Sequence, residues 1–231
     1  MPTLLAPPPT ATAASRSPFP RASQTDLPSV AVSGRTLADY VHGFALDVPA
    51  LRHRDVLDVA AGPSSFVAEA CARGVDAVAV DPLYGCTADA LALQVQRDDA
   101  RRAVHLRAAA QRFIADYATH FVHGRYVGGA LPRLPFFDDA FDLVLCAHLL
   151  FVQAKRFDFE WHVAACRELA RVSAGEVRLH PVGGAEGRPY PKLAALRREL
   201  RTCGIESEVV RVAGEFFAGS GSMLVLRKAA S

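Results

Sequence analysis

Apolar residues come in short blocks divided by turn-forming residues, and one block organises the rest. Val56, Leu57 and Val59 form a run that ends in the slim stretch Ala60, Ala61, Gly62, Ser64 and Ser65. Phe66 to Arg73 follow with helical spacing until Gly74 stops them. A second run from Val75 to Val80 ends on Asp81-Pro82. The pattern predicts strand, tight turn, helix, strand, with Asp58 and Asp81 as the acids of a βαβ unit. In open α/β sheets ligands sit beyond the carboxyl ends of the strands, where small residues let them approach the backbone. An acid about 20 positions after such a turn accepts hydrogen bonds from ribose hydroxyls, and Asp81 is the candidate. Asp-Pro also serves simply to end strands.

Ahead of this unit, Leu37, Tyr40, Val41 and Phe44 share one face of a short helix over 36–46. After it, Thr87 can cap a helix from Ala88 to about Arg102, and Arg107 to Phe121 predicts another. The pair is longer than the usual crossover helix of about 10–15 residues, and reads either as a lid or substrate wall or as helical padding. A third strand at 125–127 is closed by Gly128-Gly129, and Leu143 to Cys146 form a fourth, apolar throughout as a strand covered on both faces should be. A helix over 159–172, strand five at 176–181, a helix over 192–201, strand six at 208–212 and strand seven at 223–226 complete the chain. Strands six and seven are joined only by a loop and should pair antiparallel.

Residues 1–30, rich in Pro, Ala, Ser and Thr and lacking any hydrophobic period, predict a disordered tail ahead of one domain over 31–231. Its Arg16 and Arg21 faintly suggest a transit peptide, but the prolines spoil an amphipathic helix. The 231 residues suit one large α/β domain. No apolar run approaches the ~20 residues of a spanning helix, so no membrane association is expected. A net charge of +2 argues against a dedicated nucleic-acid surface. The five cysteines, Cys71, Cys86, Cys146, Cys166 and Cys203, lie singly, as buried hydrophobes in a reducing, cytoplasmic compartment would.

Taken in order, VLDVAAGPSS, VDP and GALPRLPFFDDAFDLVLCAHLL resemble the first, second, and third to fourth motifs of the class I S-adenosylmethionine-dependent methyltransferases. The resemblance runs from about Ser33 to the C-terminus. It implies a three-layer Rossmann-like α/β fold whose seven-stranded sheet is mostly parallel with an antiparallel last strand. The implied cofactor is S-adenosylmethionine, and the implied activity is methyl transfer. Asp58 would hold the cofactor loop or the cofactor's amino group, and Ala60 and Gly62 would admit the methionine portion. Asp81 would bind the ribose with Pro82 beside the adenine, Ala130 and Leu131 would face the ring, and Cys146 would line the site from strand four. Two departures from the family matter. Ala60 and Ser64 replace glycines, which suits the backbone if φ is negative there. Ala130 stands where many members carry an acid.

Methyl transfer needs a base only if the nucleophile must lose a proton. His148, past strand four, is the candidate catalytic residue, with His180 at the end of strand five as second choice. No metal site is expected, since a third ligand for these two is missing. His162 reads as packing, Trp161 and Phe151 as core or as walls of a substrate pocket, and Glu186 as a solvated loop acid. The Asn/Asp-Pro-Pro-aromatic phrase of enzymes that methylate amino groups of DNA bases is replaced by Ala147-His148-Leu149-Leu150. The expected acceptor is therefore a small molecule. A nicotinamide oxidoreductase would need G-x-G-x-x-G, which is missing. The alternative from another class is a methyltransferase-like binding or assembly protein without turnover.

Overall fold

The structure, a computed structural model, describes residues 35–99, 104–184, 187–213 and 219–229. The expected tail over 1–30 and Glu186 lie outside the described residues.

Seven strands form one sheet in the order β3-β2-β1-β4-β5-β7-β6. They are β1 (Asp55–Val59), β2 (Asp76–Asp81), β3 (Tyr126–Gly128), β4 (Phe141–Ala147), β5 (Ser173–His180), β6 (Ile205–Arg211) and β7 (Ser222–Lys228). The first five run parallel, while β7 lies antiparallel between β5 and β6. The period of two along each strand divides the core. Val56, Leu143, Leu145 and Val225 face one layer, and Leu57, Val144, Cys146 and Leu226 face the other. The first layer is built on α1 (Leu37–Phe44), α2 (Phe66–Cys71) and α4 (Val104–His120), the second on α5 (Phe159–Val172) and α6 (Leu193–Thr202).

Helix ends follow local chemistry. Thr36 Oγ1 accepts from the Asp39 amide and Asp39 accepts from the Thr36 amide, a capping box that starts α1. Asp158 accepts from the Trp161 amide to start α5. Strand β5 begins three residues earlier than its apolar pattern predicts, directly after α5. Gly175 allows this, because a Cβ there would stand 2.3 Å from the Asp142 carbonyl oxygen. The register of β4 and β5 shifts at that point.

The helical insertion between β2 and β3, which includes α3 (Ala88–Asp99), is part of the core. Leu91 and Val95 of α3 and Ala110, Phe113 and Tyr117 of α4 are buried in the first layer. Tyr84, Phe113, Tyr117 and Tyr126 form one aromatic cluster with centroids 5.3–5.7 Å apart. Tyr117 Oη lies 3.1 and 2.8 Å from the carbonyl oxygens of Tyr84 and Cys86, and so fixes the turn that follows β2. Tyr117→Phe should therefore cost about 1–2 kcal/mol in chemical denaturation. An unchanged unfolding midpoint would show that the insertion does not hold that turn.

Candidate functional site

Strand order reverses between β1 and β4, and the loops that follow them diverge there, opening the sheet at its carboxyl edge. The expected residues gather at this edge. Asp58 pairs in register with Ala79 and Leu145, Val59 with Cys146, and Asp81 with Gly128. The Gly129 amide donates to the Asp81 carbonyl at 3.3 Å, which brings the turn carrying Ala130 and Leu131 alongside β2. Ala130 and Pro82 are exposed, Leu131 is half-buried and Cys146 is buried. Burial drives the Cys146 thiol pKa up, so it stands as a neutral apolar wall.

Asp81 ties two turns together. One carboxylate oxygen accepts from the Gly62 amide at 3.0 Å and the other from the Leu83 amide at 2.9 Å. Burial raises its pKa, and those two amides oppose the rise. Tyr84 Oη donates to the Gly62 carbonyl at 2.5 Å, so the glycine is held from both sides. Each carboxylate oxygen keeps a second acceptor direction.

Asp58 is fully buried, and both its oxygens lie within 2.9 Å of Tyr40 Oη on α1. Tyr40 in turn stacks on Phe66 at 4.2 Å. Asp58 is thus committed to the protein's own helix. Burial raises its pKa to about 7 against the opposing pull of Arg35 and Tyr40.

The backbone of the slim loop departs from the sequence expectation. Ala60 has φ 55° and Gly62 φ 54°, both left-handed. Ala60 therefore stands where glycine would be unstrained, and the condition of negative φ fails at this position. Ser64 and Ser65 have a different purpose. The Ser65 amide donates to the Arg35 carbonyl at 2.9 Å and Ser64 Oγ donates to it at 3.0 Å. Ser64, in place of glycine, and Ser65 thus anchor Arg35, just ahead of the cap of α1.

Sequence reasoning missed Arg35. It is 5 % exposed, and its guanidinium reaches the Ala60 carbonyl at 3.4 Å, the Ala61 carbonyl at 3.2 Å and His148 Nδ1 at 2.9 Å. It also lies over the Tyr40 ring at 5.6 Å. No spacing rule marks a lone arginine just ahead of a helix cap. The only available signal was a basic residue next to a capping box.

The two candidate histidines are held neutral and are weak bases at neutral pH. Arginine donates only, so His148 Nδ1 accepts and its proton is on Nε2. Burial first, then the Arg35 charge, lowers its pKa to about 3. Its backbone, at φ 56°, is left-handed and its amide donates to the His180 carbonyl at 2.8 Å. His180 is buried, its Nε2 donates to the Ser220 carbonyl at 2.8 Å, and burial lowers its pKa to about 4. His162 is buried between the Asp158 and Leu150 carbonyl oxygens, at 2.6 and 2.9 Å, and packs α5 against the loop after β4. Phe151 is core, and half-buried Trp161 stacks on Phe157 at 3.7 Å.

Comparison with known proteins agrees with this architecture. The chain has the fold of the class I S-adenosylmethionine-dependent methyltransferases. Magnesium protoporphyrin IX methyltransferase from Synechocystis PCC 6803, solved with bound S-adenosylhomocysteine, is similar with TM-score 0.51 and 17% identity, over 82% of this chain and 81% of that one. A TehB-like methyltransferase from Corynebacterium glutamicum gives TM-score 0.50 and 18% identity over 82% and 88%. The CcbJ methyltransferase of Streptomyces caelestis gives 0.50 and 16% over 86% and 98%. In sequence, an uncharacterized protein of Methanocaldococcus jannaschii is 25% identical over 226 residues, covering 88% of this chain and 98% of its own. No family model matches.

Two stability measurements check the site. Ala60→Gly should stabilise by about 0.5–1 kcal/mol, as relief of a left-handed alanine, about 1–2 kcal/mol, outweighs glycine's entropy, about 0.4–1 kcal/mol. A destabilised variant would show that the loop does not need that conformation. For Asp58 the folded pKa exceeds the unfolded one. The folded state therefore binds the extra proton, and stability falls as pH rises from about 4 to about 7, then levels. Asp58→Asn keeps an acceptor for Tyr40 and removes this loss, so its stability relative to the unsubstituted protein should rise by on the order of 3 kcal/mol across that window. A difference independent of pH, in urea unfolding series, would contradict it.

Proposed function

We propose that this protein is an S-adenosylmethionine-dependent methyltransferase acting on a small-molecule acceptor. The observation that carries the reading is the placement of Asp81 beside the Gly62 turn, at the carboxyl edge where the strand order reverses. Bound S-adenosylmethionine would supply a sulfonium methyl group open to in-line attack. Asp81 would take the ribose hydroxyls on the second acceptor directions of its oxygens, between Pro82 and the Gly62 turn. Ala130 and Leu131 would border the adenine, while Cys146, neutral and buried, would exclude water from one wall. Asp58, bonded to Tyr40, acts on the cofactor indirectly, by fixing α1 against the loop.

His148 enters as a neutral side chain fixed by Arg35, which suits positioning better than proton removal. The acceptor is then one that needs no strong base. We place the protein in a reducing compartment, the cytoplasm, in keeping with five unpaired cysteines. Among the described residues, no helix is long and apolar enough to cross a membrane. The same locked histidines favour a second reading, a methyltransferase-like binding or assembly protein that holds the cofactor without turnover.

Calorimetric titration with S-adenosylmethionine, S-adenosylhomocysteine and NAD tests the proposal. Binding of the first two alone is expected, and Asp81→Asn should weaken it roughly 10- to 100-fold through the lost charge-assisted hydrogen bonds. Equal affinity in the folded variant would remove Asp81 from the site, and NAD binding would overturn the reading altogether. Binding without transfer to any of a panel of small acceptors would favour the second reading.

A further inference from the structure

Arg35 is a buried cation whose hydrogen-bonding capacity is only partly used. A guanidinium offers five N–H donors. Here it makes one close bond, to His148 Nδ1 at 2.9 Å, and two long ones through Nη2, at 3.2 and 3.4 Å, to the Ala61 and Ala60 carbonyls. Its buried Nε has no hydrogen-bond partner among the described residues. Bonds between guanidinium and carboxylate ordinarily run about 2.7–2.9 Å, and no carboxylate among the described residues makes one with it. The nearest acids are engaged elsewhere, Asp58 with Tyr40 and Asp81 with two backbone amides.

Such a charge ordinarily costs stability unless a partner completes it. This one is nevertheless held in place with care. Its carbonyl accepts from the Ser65 amide and Ser64 Oγ, and its guanidinium spans the loop between β1 and α2. Both sets of contacts lie at the carboxyl edge of the sheet, where β1 and β4 part.

We infer that Arg35 is a receptor for the carboxylate group of a ligand, which it takes on the edge formed by Nε and Nη2. Two parallel N–H···O bonds to a planar carboxylate match that edge. The carboxylate would satisfy Nε and replace the 3.4 Å contact with the Ala60 carbonyl. A single guanidinium balances one negative charge, which favours a carboxylate over a phosphate dianion. The carboxylate has two possible sources: the amino-acid part of the cofactor, which rests on the proposed function, or a carboxylate-bearing acceptor.

Three probes separate them: S-adenosylhomocysteine, 5′-methylthioadenosine, which is the same nucleoside thioether without the amino acid, and benzoate. Each is titrated calorimetrically, with thermal shift alongside, into the full chain and into Arg35→Met and Arg35→Lys. With the cofactor as source, Arg35→Met should weaken S-adenosylhomocysteine roughly 10- to 100-fold and leave methylthioadenosine unchanged. With the acceptor as source, both nucleosides keep their affinity and a thermal shift by benzoate, present in the unsubstituted protein, is lost. Arg35→Lys keeps the charge without the fork and should retain only part of the affinity, and it replaces Arg35→Met if that variant fails to fold. Equal weakening of both nucleosides, or no change with any probe, overturns the inference. If the unsubstituted protein binds neither nucleoside, the proposed function fails on its own, and benzoate alone decides the role of Arg35. Loss of its thermal shift in the variant then supports the carboxylate receptor, and no shift in the unsubstituted protein overturns it.

Discussion

One buried carboxylate joins the parts of this edge. Asp81 accepts from Gly62 on one side and Leu83 on the other, so the end of β2 fixes both the loop after β1 and the turn leading to the inserted helices. The constraint is electrostatic as well as geometric. A carboxylate excluded from water must be given donors, and here backbone amides supply them. Tyr84 and Tyr117 extend the same chain of contacts, from the Gly62 carbonyl to the turn at Cys86 and on to α4. The loop after β1 is thereby tied, through Tyr84 and Tyr117, to the aromatic cluster under α4.

Much of this was legible along the chain. Short apolar runs marked all seven strands, and the loop joining the last two implied their antiparallel pairing. The slim turn and the acid after it marked two features that the fold joins, the Gly62 amide donating to Asp81 at 3.0 Å. Illegible features have physical reasons. Ser173-Ala174-Gly175 reads as a loop, yet it is strand because a missing Cβ lets the Asp142 carbonyl pass. Alanine at 60 gives no hint of its left-handed backbone, which glycine would have announced. Arg35 belongs to no periodic pattern, and its role comes from a fold that brings residues 35, 60, 61 and 148 together.

The histidines show the difference between position and state. Both lie at the carboxyl ends of strands, His148 just after β4 and His180 as the last residue of β5. Whether such a ring takes up a proton depends on its partners. An arginine at Nδ1 of His148 and a carbonyl at Nε2 of His180 settle the tautomers, and burial lowers both pKa values well below neutrality. Neither histidine is thus a ready proton acceptor near neutral pH.

The stacking of Trp161 on Phe157 has a practical side. The chain contains a single tryptophan, and it sits where the loop after β4 enters α5, with its ring 3.7 Å from the phenylalanine and nearly parallel to it. Intrinsic fluorescence excited in the indole band is therefore a one-site optical signal. Quenching or spectral shift reports on the environment of this stretch alone, so its rearrangements can be followed in real time without any label.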